Sequence, residues 1–430
     1  MLLSQPQNGL QAGVAKVDLE PVLGMSMGGY GARTGVAQGV LDPIQARVLA
    51  ISDGRRTIAL VTLDLVFTIE LAEMNEIRAA VRPAGVEQVI FVASHTHSGP
   101  TYSSNLDAYR KAVSRISQVI PIAARGMTPV RIGTGWGVAF LGHNRRALLL
   151  DGQPHMFWRD ETQLPSGPVD PTVGVIRLDR RDGTPLAILV NYACHPVVLG
   201  PDNLSYSADY PSVMRDTIEE GLNRSAMAFF LQGGSGDINP YYDKTPLAQD
   251  AVSRMQETGR KIGEEGLRVA RAIHTEVAQS PAIQTKTVVL HSRSRWDVEK
   301  VRQVMRERYR LDEMRAERLV RAEMDLPVTT LLLNHELAFI TMPGEPFVEF
   351  QTTLRTRSPL PNTYLLGYAD GAFGYFPTIA AAVRGGYGAN STSTQVEVGI
   401  GERLLDAGLI SLYELLGKLP DRPAEPEKVR

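Results

Sequence analysis

The stretch IFVASHTHSGP, residues 90–100, ends an apolar run in two histidines one residue apart, in a chain with only 8 histidines. In an extended segment side chains at i and i+2 share a face, so His95 and His97 can both reach one cavity. Neutral imidazole is a common metal ligand, and zinc accepts ligands from loops far apart in sequence. A second apolar run, ILVNYACHP, ends in His195 followed by a proline that locks the exit of the chain. Taken alone, either histidine also fits a satisfied core or capping residue. Cys194 alternates to the opposite face if the strand persists, which predicts a buried, inert thiol.

Other residue types complete the candidate set. Glu345 lies in MPGEPF, where two prolines and a glycine stiffen the loop as a preorganised carboxylate ligand requires. It would equally serve as the cap of a helix beginning at Pro346. Asp237, in the glycine-rich turn QGGSGDINP, is either bonded within its turn or available as a ligand. Asp64, in TLDLVF, has apolar neighbours and therefore needs a hydrogen-bond partner or a metal-related role. Tyr375 in GYFPT could ligate a metal through its phenol oxygen. Tyr387 in GGYG could donate to a developing oxyanion, although lone tyrosines are usually packing residues.

The elements that must position these residues alternate along the chain. Arg47–Phe67 reads as two strands around a turn at Asp53-Gly54, and residues 71–81 as a helix with Leu71, Met74, Ile77 and Val81 on one face. VIFVAS is a buried strand, and residues 105–126 a helix. VRIGTGWGVAF is a strand, and a second hairpin turns at Arg181-Asp182-Gly183 and ends at His195. Further helices are expected at 210–222, 249–276 and 296–323, with strands at AMAFFLQ and IQTKTVVLHS. A third hairpin turns at Asn334-His335 and delivers the Glu345 loop. A helix follows in VEFQTTLRTR, a strand in TYLLGYA, a loop from Gly371 to Asn390 and a last helix over 398–417. The sequence shows no composition break and no fixed-period repeat over residues 12–418. It predicts one large α/β domain, residues 1–418, with a mixed β-sheet, flanking helices and site loops at strand ends, and a disordered tail at 419–430.

Composition narrows the function classes. With 430 residues, 43% hydrophobic and 21% charged, the chain has enough apolar material for a substantial core. A net charge of −2 without a basic run gives no electrostatic reason to expect nucleic acid or an anionic membrane as partner. One cysteine excludes an intrachain disulfide framework and a cysteine-rich zinc site. No run approaches the roughly 18 apolar residues of a membrane span. MLLSQPQNGLQAG lacks the basic and apolar regions of a signal peptide, so the expectation is a soluble, cytoplasmic protein.

Together, HTHSGP, Asn144-Arg145, NYACHP, QGGSGDINP, MPGEPF and GYFPT with Tyr387 resemble the neutral ceramidase family in order and approximate spacing. MGGYGAR and GVLDPIQARVLAI look like that family's opening strands, and the resemblance covers most of residues 12–400. The resemblance implies a zinc-dependent amidase that splits an N-acyl bond, as family members split ceramide into a sphingoid base and a fatty acid. It implies zinc (Zn2+) ligands His95, His195, Glu345 and Tyr375, with His97 as general acid/base. Arg145 and Tyr387 would contact the substrate or stabilise the oxyanion.

Three departures separate the chain from that family. The turn reads Gly236-Asp237-Ile238-Asn239-Pro240, where the family usually has Gly-Asp-Val-Ser-Pro with the serine lining the active site. The chain ends too early for the family's C-terminal immunoglobulin-like domain, and it shows no export signal. Ceramide as substrate therefore does not follow, and the substrate class is a small-molecule or lipid-like amide. Within metal-assisted hydrolysis, the alternatives are an esterase or deacylase acting on a small polar substrate, and a two-metal hydrolase with His97 and Asp237 as added ligands. A non-catalytic module with a structural zinc site is the rival from another class.

Overall fold

The strand Gln45–Ser52 is buried at every position, and Thr57–Leu63 at all but its first. Such continuous apolar runs belong inside a layered domain, covered on both faces. The structure, a computed structural model, describes residues 9–149, 152–164, 166–309, 316–317 and 320–419, and it shows those layers.

Eight strands form a mixed sheet: β1 (Gln11–Asp18), β2 (Gln45–Ser52), β3 (Thr57–Leu63), β4 (Gln88–Ala93), β5 (Thr128–Val138), β6 (Thr172–Arg180), β7 (Pro185–Tyr192) and β8 (Met227–Gln232). Their order is β8-β7-β6-β5-β1-β2-β3-β4, antiparallel except for the parallel pairs at the two edges, β7 with β8 and β3 with β4. A second sheet of four strands, β9 (Ile283–Arg293), β10 (Glu323–Leu333), β11 (Leu337–Thr341) and β12 (Asn362–Leu366), stacks on the first. Leu49, Leu60, Ile90 and Leu189 point into the core between the sheets and meet Leu331, Phe339 and Tyr364.

Alternation sends the intervening residues to the outer faces. Val48, Val61 and Phe91 pack under α1 (Leu71–Val81) and α2 (Leu106–Arg125), and Ile188, Val190 and Phe230 under α3 (Tyr210–Gly221) and α4 (Ala251–Ala272). A helix α5 covers Val298–Tyr309, and α6 (Val348–Arg357) and α8 (Ile400–Leu415) cover the outer face of the small sheet. The result is a single mixed α/β domain with flanking helices, as the alternation of elements predicted. Among the described residues no helix is long and apolar enough to cross a membrane.

The approach of α2 to β1 depends on Gly13. A Cβ there would stand 2.2 Å from the carbonyl oxygen of Ala123, a backbone atom that cannot move aside alone.

Three expectations are corrected. The mixed sheet has a second sheet against it, a stacking of distant strands that local periodicity does not encode. Of the helix expected over 296–323, residues 298–309 and 316–317 are helical among the described residues, but Glu323 already belongs to β10, which pairs along its whole length with β9. The loop Gly371–Asn390 contains a helix, α7 (Ile379–Arg384), capped by Thr378, whose Oγ1 accepts from Ala381 N. The third hairpin does turn at Asn334-His335, both at positive φ (54° and 60°), within a three-residue loop, 334–336, between the paired Leu333 and Leu337. Of the tail expected at 419–430, residues 420–430 lie outside the described residues.

The two edges of the large sheet meet. Strand twist of roughly −20 to −25° per step accumulates across eight strands to roughly half a turn, so β8 swings round to β4 with both C-termini together. Gln232, fully buried at the end of β8, fastens this closure. Its Nε2 donates to Ser94 O after β4 and to Cys194 O after β7, both at 3.0 Å, and its own carbonyl accepts from Gly367 N after β12 at 3.0 Å. Gln232→Ala would leave two buried carbonyls without their donor. The expected loss is about 2–4 kcal/mol by urea denaturation, and a change within 0.5 kcal/mol would contradict the closure role.

Candidate metal centre

The strand β4 ends at Ala93, and His95 turns the chain with φ 68°. The two histidines of HTH therefore do not share a face of an extended segment, as the spacing suggested. A left-handed residue brings them together instead. His95 N donates to Leu65 O at 2.9 Å, and its Nδ1 lies 2.6 Å from Val66 O, so the loop after β3 orients the ring. His195 is held in the same way by another loop: its N donates to Ile238 O, and its Nδ1 lies 2.6 Å from Ser235 O. A carbonyl only accepts, so Nδ1 carries the proton in both rings and each Nε2 presents a lone pair.

Those lone pairs face a common point. Glu345 Oε2 lies 3.4 Å from Nε2 of His95 and 3.4 Å from Nε2 of His195, and His97 Nε2 lies 3.2 Å from His95 Nε2. The nitrogens of His95, His97 and His195 all fall within 4.8 Å of one another. Glu345 arrives on a two-residue parallel ladder, Glu345–Pro346 beside Tyr375–Phe376. It does not cap α6, whose first amide, Val348 N, is taken by Asp237 Oδ1 at 2.8 Å.

The charges at this point do not balance by themselves. Burial, opposed in part by Glu345, holds His195 neutral, with a pKa near 3. Burial also works against the Glu345 charge, but His95 and His195 outweigh it and keep the carboxyl well below its ordinary range. That stabilisation needs positive charge, and rings protonated only at Nδ1 bring none, so the anion faces bare lone pairs. Glu345 Oε2 and His195 Nε2 are buried without a hydrogen-bond partner. A tetrahedral ion with bonds of roughly 2.0–2.2 Å sets its ligand atoms about 3.3–3.5 Å apart, which is the separation of these atoms. The donor set fits a metal ion.

His97 differs from the other two histidines. Its Nδ1 is buried and unpartnered, so no carbonyl fixes its tautomer. Burial, reinforced by His95 and His195, pushes its pKa well below the usual value. Gly29, at φ 91°, packs flat on the ring: a Cβ there would be 2.2 Å from His97 Cγ. Tyr30 meets the same ring edge-on with centroids 4.7 Å apart.

The remaining predicted residues form a wall beside the cluster. Arg145 Nη2 donates to Gly236 O at 2.6 Å and to Tyr375 OH at 3.1 Å, and its guanidinium lies 5.2 Å from the Tyr387 ring centroid. The Tyr375 hydroxyl reaches that of Tyr387 at 3.4 Å. Burial and the nearby Glu345 raise the Tyr375 pKa well above that of a free phenol. Asp237 has a structural role, since one oxygen accepts from Val348 N and the other from Asn144 Nδ2 at 2.7 Å. Asp64 is likewise committed, to a two-pronged ion pair with Arg215 at 2.7 and 2.9 Å.

Sequence reasoning missed several contributors. The ring of Tyr368 lies against His95 (centroids 4.1 Å apart), and its hydroxyl meets Ser235 Oγ at 3.0 Å, bracing the segment that also holds His195. Arg146 donates to the carbonyls of Tyr387 and Gly385, each at 2.7 Å, and fixes the loop that carries Tyr387. Nothing in the local pattern marked these residues except that Tyr368 and Arg146 adjoin motifs already singled out.

The burial of His195 makes a prediction for the metal-free protein. Its neutral form contributes stability that is fully present above pH 6.5 and lost as pH falls toward about 3. The imidazole resonances of His195 in heteronuclear NMR should not titrate between pH 8 and about 5. A midpoint near the ordinary imidazole value would contradict the arrangement.

No protein-family model matches the chain. Among solved structures it is similar to neutral ceramidase from Pseudomonas aeruginosa, with TM-score 0.76 and 17% sequence identity over 97% of this chain and 76% of that one. It is equally similar to a ceramidase complexed with C2, with TM-score 0.76, 16% identity, and coverage of 97% and 77%. At such low identity the likeness is one of fold: over nearly its whole length, the chain carries the fold of neutral ceramidase.

Proposed function

We propose that the chain is a zinc-dependent hydrolase that cleaves a linear N-acyl amide. The observation that carries this reading is the convergence of His95, His195 and Glu345, two fixed lone pairs and one buried carboxylate, at the separations of a zinc ligand shell. Tyr375 completes the ligand set from the strand paired with Glu345. A zinc ion held there supplies a Lewis acid and lowers the pKa of water to roughly 7.

The protein's own residues divide the rest of the chemistry. Metal-ligating histidines nearly always donate their second N–H to a fixed partner, as His95 and His195 do. His97 has no such partner at Nδ1, so it is the group free to exchange a proton. It takes a proton from the attacking water and returns one to the leaving amine as the C–N bond breaks, giving a carboxylic acid and an amine. Arg145 and Tyr387 stand on the wall beside Tyr375, in position to stabilise negative charge on the carbonyl oxygen.

An apolar cavity of about 360 Å³ adjoins the histidines through Gly29, which backs His97, and Phe67, whose ring is 5.3 Å from that of His95. Leu65, Val66, Ile69 and Leu106 line it, a surface suited to an acyl chain. The one-metal reading is favoured over the two-metal one by the engagement of both Asp237 oxygens with Val348 N and Asn144 Nδ2.

Metal analysis should find about one zinc per chain in the wild type. His95→Ala, His195→Ala and Glu345→Ala should each lose it, whereas His97→Ala should keep the zinc and lose about 10²–10⁴-fold in kcat. Loss of metal in His97→Ala would make His97 a ligand and overturn the division of roles. A matched set of N-acyl amines and the corresponding esters tests the bond cleaved. Turnover of esters alone would replace the amidase by the esterase reading.

A further inference from the structure

The turn Gly236-Asp237-Ile238-Asn239-Pro240 carries asparagine where a serine was expected, and the structure gives that asparagine a definite task. Asn239 is fully buried, so it does not line the mouth of the site. Its Oδ1 accepts from Arg145 Nη1 at 3.1 Å, and its Nδ2 donates to Asp243 Oδ2 at 2.7 Å. A single hydroxyl cannot span both partners in this way. Asp243, whose side chain is also fully buried, then holds Lys244 Nζ at 2.6 Å.

Lys244 is the end of this chain of contacts that reaches solvent, with a side chain 31% exposed. Its ammonium lies 4.0 Å from the ring centroid of Trp158 and 6.0 Å from that of Tyr30. Tyr30 touches His97, and Trp158 faces both Arg145 and Tyr387, at 5.5 and 5.3 Å. The ammonium is therefore fixed above the site by a buried carboxylate and two aromatic faces. Its three donors are not exhausted by the bond to Asp243. Arg145 stands in the same wall with its Nε buried and unpartnered. The wall carries the cations Lys244 and Arg145 beside the carboxylates Asp243 and Glu345, whereas the cavity that adjoins the histidines through Gly29 and Phe67 is apolar.

From this asymmetry we infer that Lys244 is an anchor for an anionic group on the amine half of the substrate, an acyl conjugate of an amine bearing a carboxylate or phosphate. The inference rests on the amidase reading and adds the head group to it. Asn239 is a positioning residue that couples the anchor to Arg145. Hydrolysis then releases a fatty acid and a zwitterionic amine, with water supplying the oxygen and the proton.

Three conjugates with one acyl chain test it: N-lauroylglycine, N-lauroyl phosphoethanolamine and the neutral N-lauroylethanolamine. One charge-assisted hydrogen bond corresponds to about tenfold or more in kcat/KM in favour of an anionic conjugate, and the two anionic arms identify carboxylate or phosphate. Lys244→Met should bring the anionic-to-neutral ratio close to one, Lys244→Arg should keep the preference, and Asn239→Ser should reduce it without changing zinc content. Calorimetric binding of the same conjugates to the metal-free protein should show the same order, independently of turnover. Equal turnover of all three by the wild type, or an unchanged ratio in Lys244→Met, would overturn the anchor and leave the amidase standing. Hydrolysis of none of them, with ester turnover intact, would overturn the amidase reading and the anchor with it.

Discussion

The side-chain amide of Gln232 is the contact on which the geometry of the site depends. It joins the ends of β4, β7 and β8, and its backbone joins β12, so four strands from two sheets are fixed at one place. His95 follows β4, His195 follows β7 and the Ser235–Asp237 turn follows β8. Glu345 and Tyr368 follow the two parallel strands of the small sheet, β11 and β12. Each functional side chain is thus only a few residues from a strand end already held in place. The accumulated twist of an eight-stranded sheet makes this possible, by carrying one edge round to the other. Rigid strand ends are the support a metal site requires, because a small displacement of a ligand costs much of the coordination energy.

Within that frame, hydrogen bonds decide which atoms are available. Backbone carbonyls take the Nδ1 proton of His95 and of His195, which leaves both Nε2 atoms as acceptors. Glu345 adds a carboxylate that burial alone would drive toward its neutral form and that only positive charge beside it keeps ionised. Three acceptors around one point, with His97 Nε2 beside His95 Nε2 as the nearest possible donor, form an arrangement that a cation would complete. His97 shares the point but not the restraint on its second nitrogen, and the proposed division between ligand and proton carrier rests on this difference.

The residue that departs from the ceramidase pattern changes the wall of the site rather than its metal shell. Asn239 links Arg145 to Asp243, and Asp243 holds Lys244 between two aromatic rings. In the proposed reading, substrate selectivity and metal binding are carried by networks that meet at Arg145, Tyr375 and Tyr30. Such a separation allows one fold to keep its chemistry while its head-group preference changes.

The sequence by itself determined the elements and the principal chemical groups. Alternation and continuous apolar runs located β2 to β4 and β6 to β8, and the spacing in HTH, the strand-to-histidine ending at His195 and the stiff MPGEPF loop picked out His95, His97, His195 and Glu345 as candidates, whereas their division into ligands and a proton carrier came from the resemblance to the ceramidase family. These are local signals, set by the two-residue and 3.6-residue periods and by proline and glycine. Only the tertiary structure decided that the histidines meet through a left-handed residue, that Asp237 caps a helix, and that Gln232, Tyr368 and Arg146 hold the site together. Those outcomes rest on hydrogen bonds between residues far apart in the chain, such as Gln232 with Ser94 or Asp237 with Val348. A buried polar group must find a partner wherever packing brings one, and no local pattern records which partner that will be.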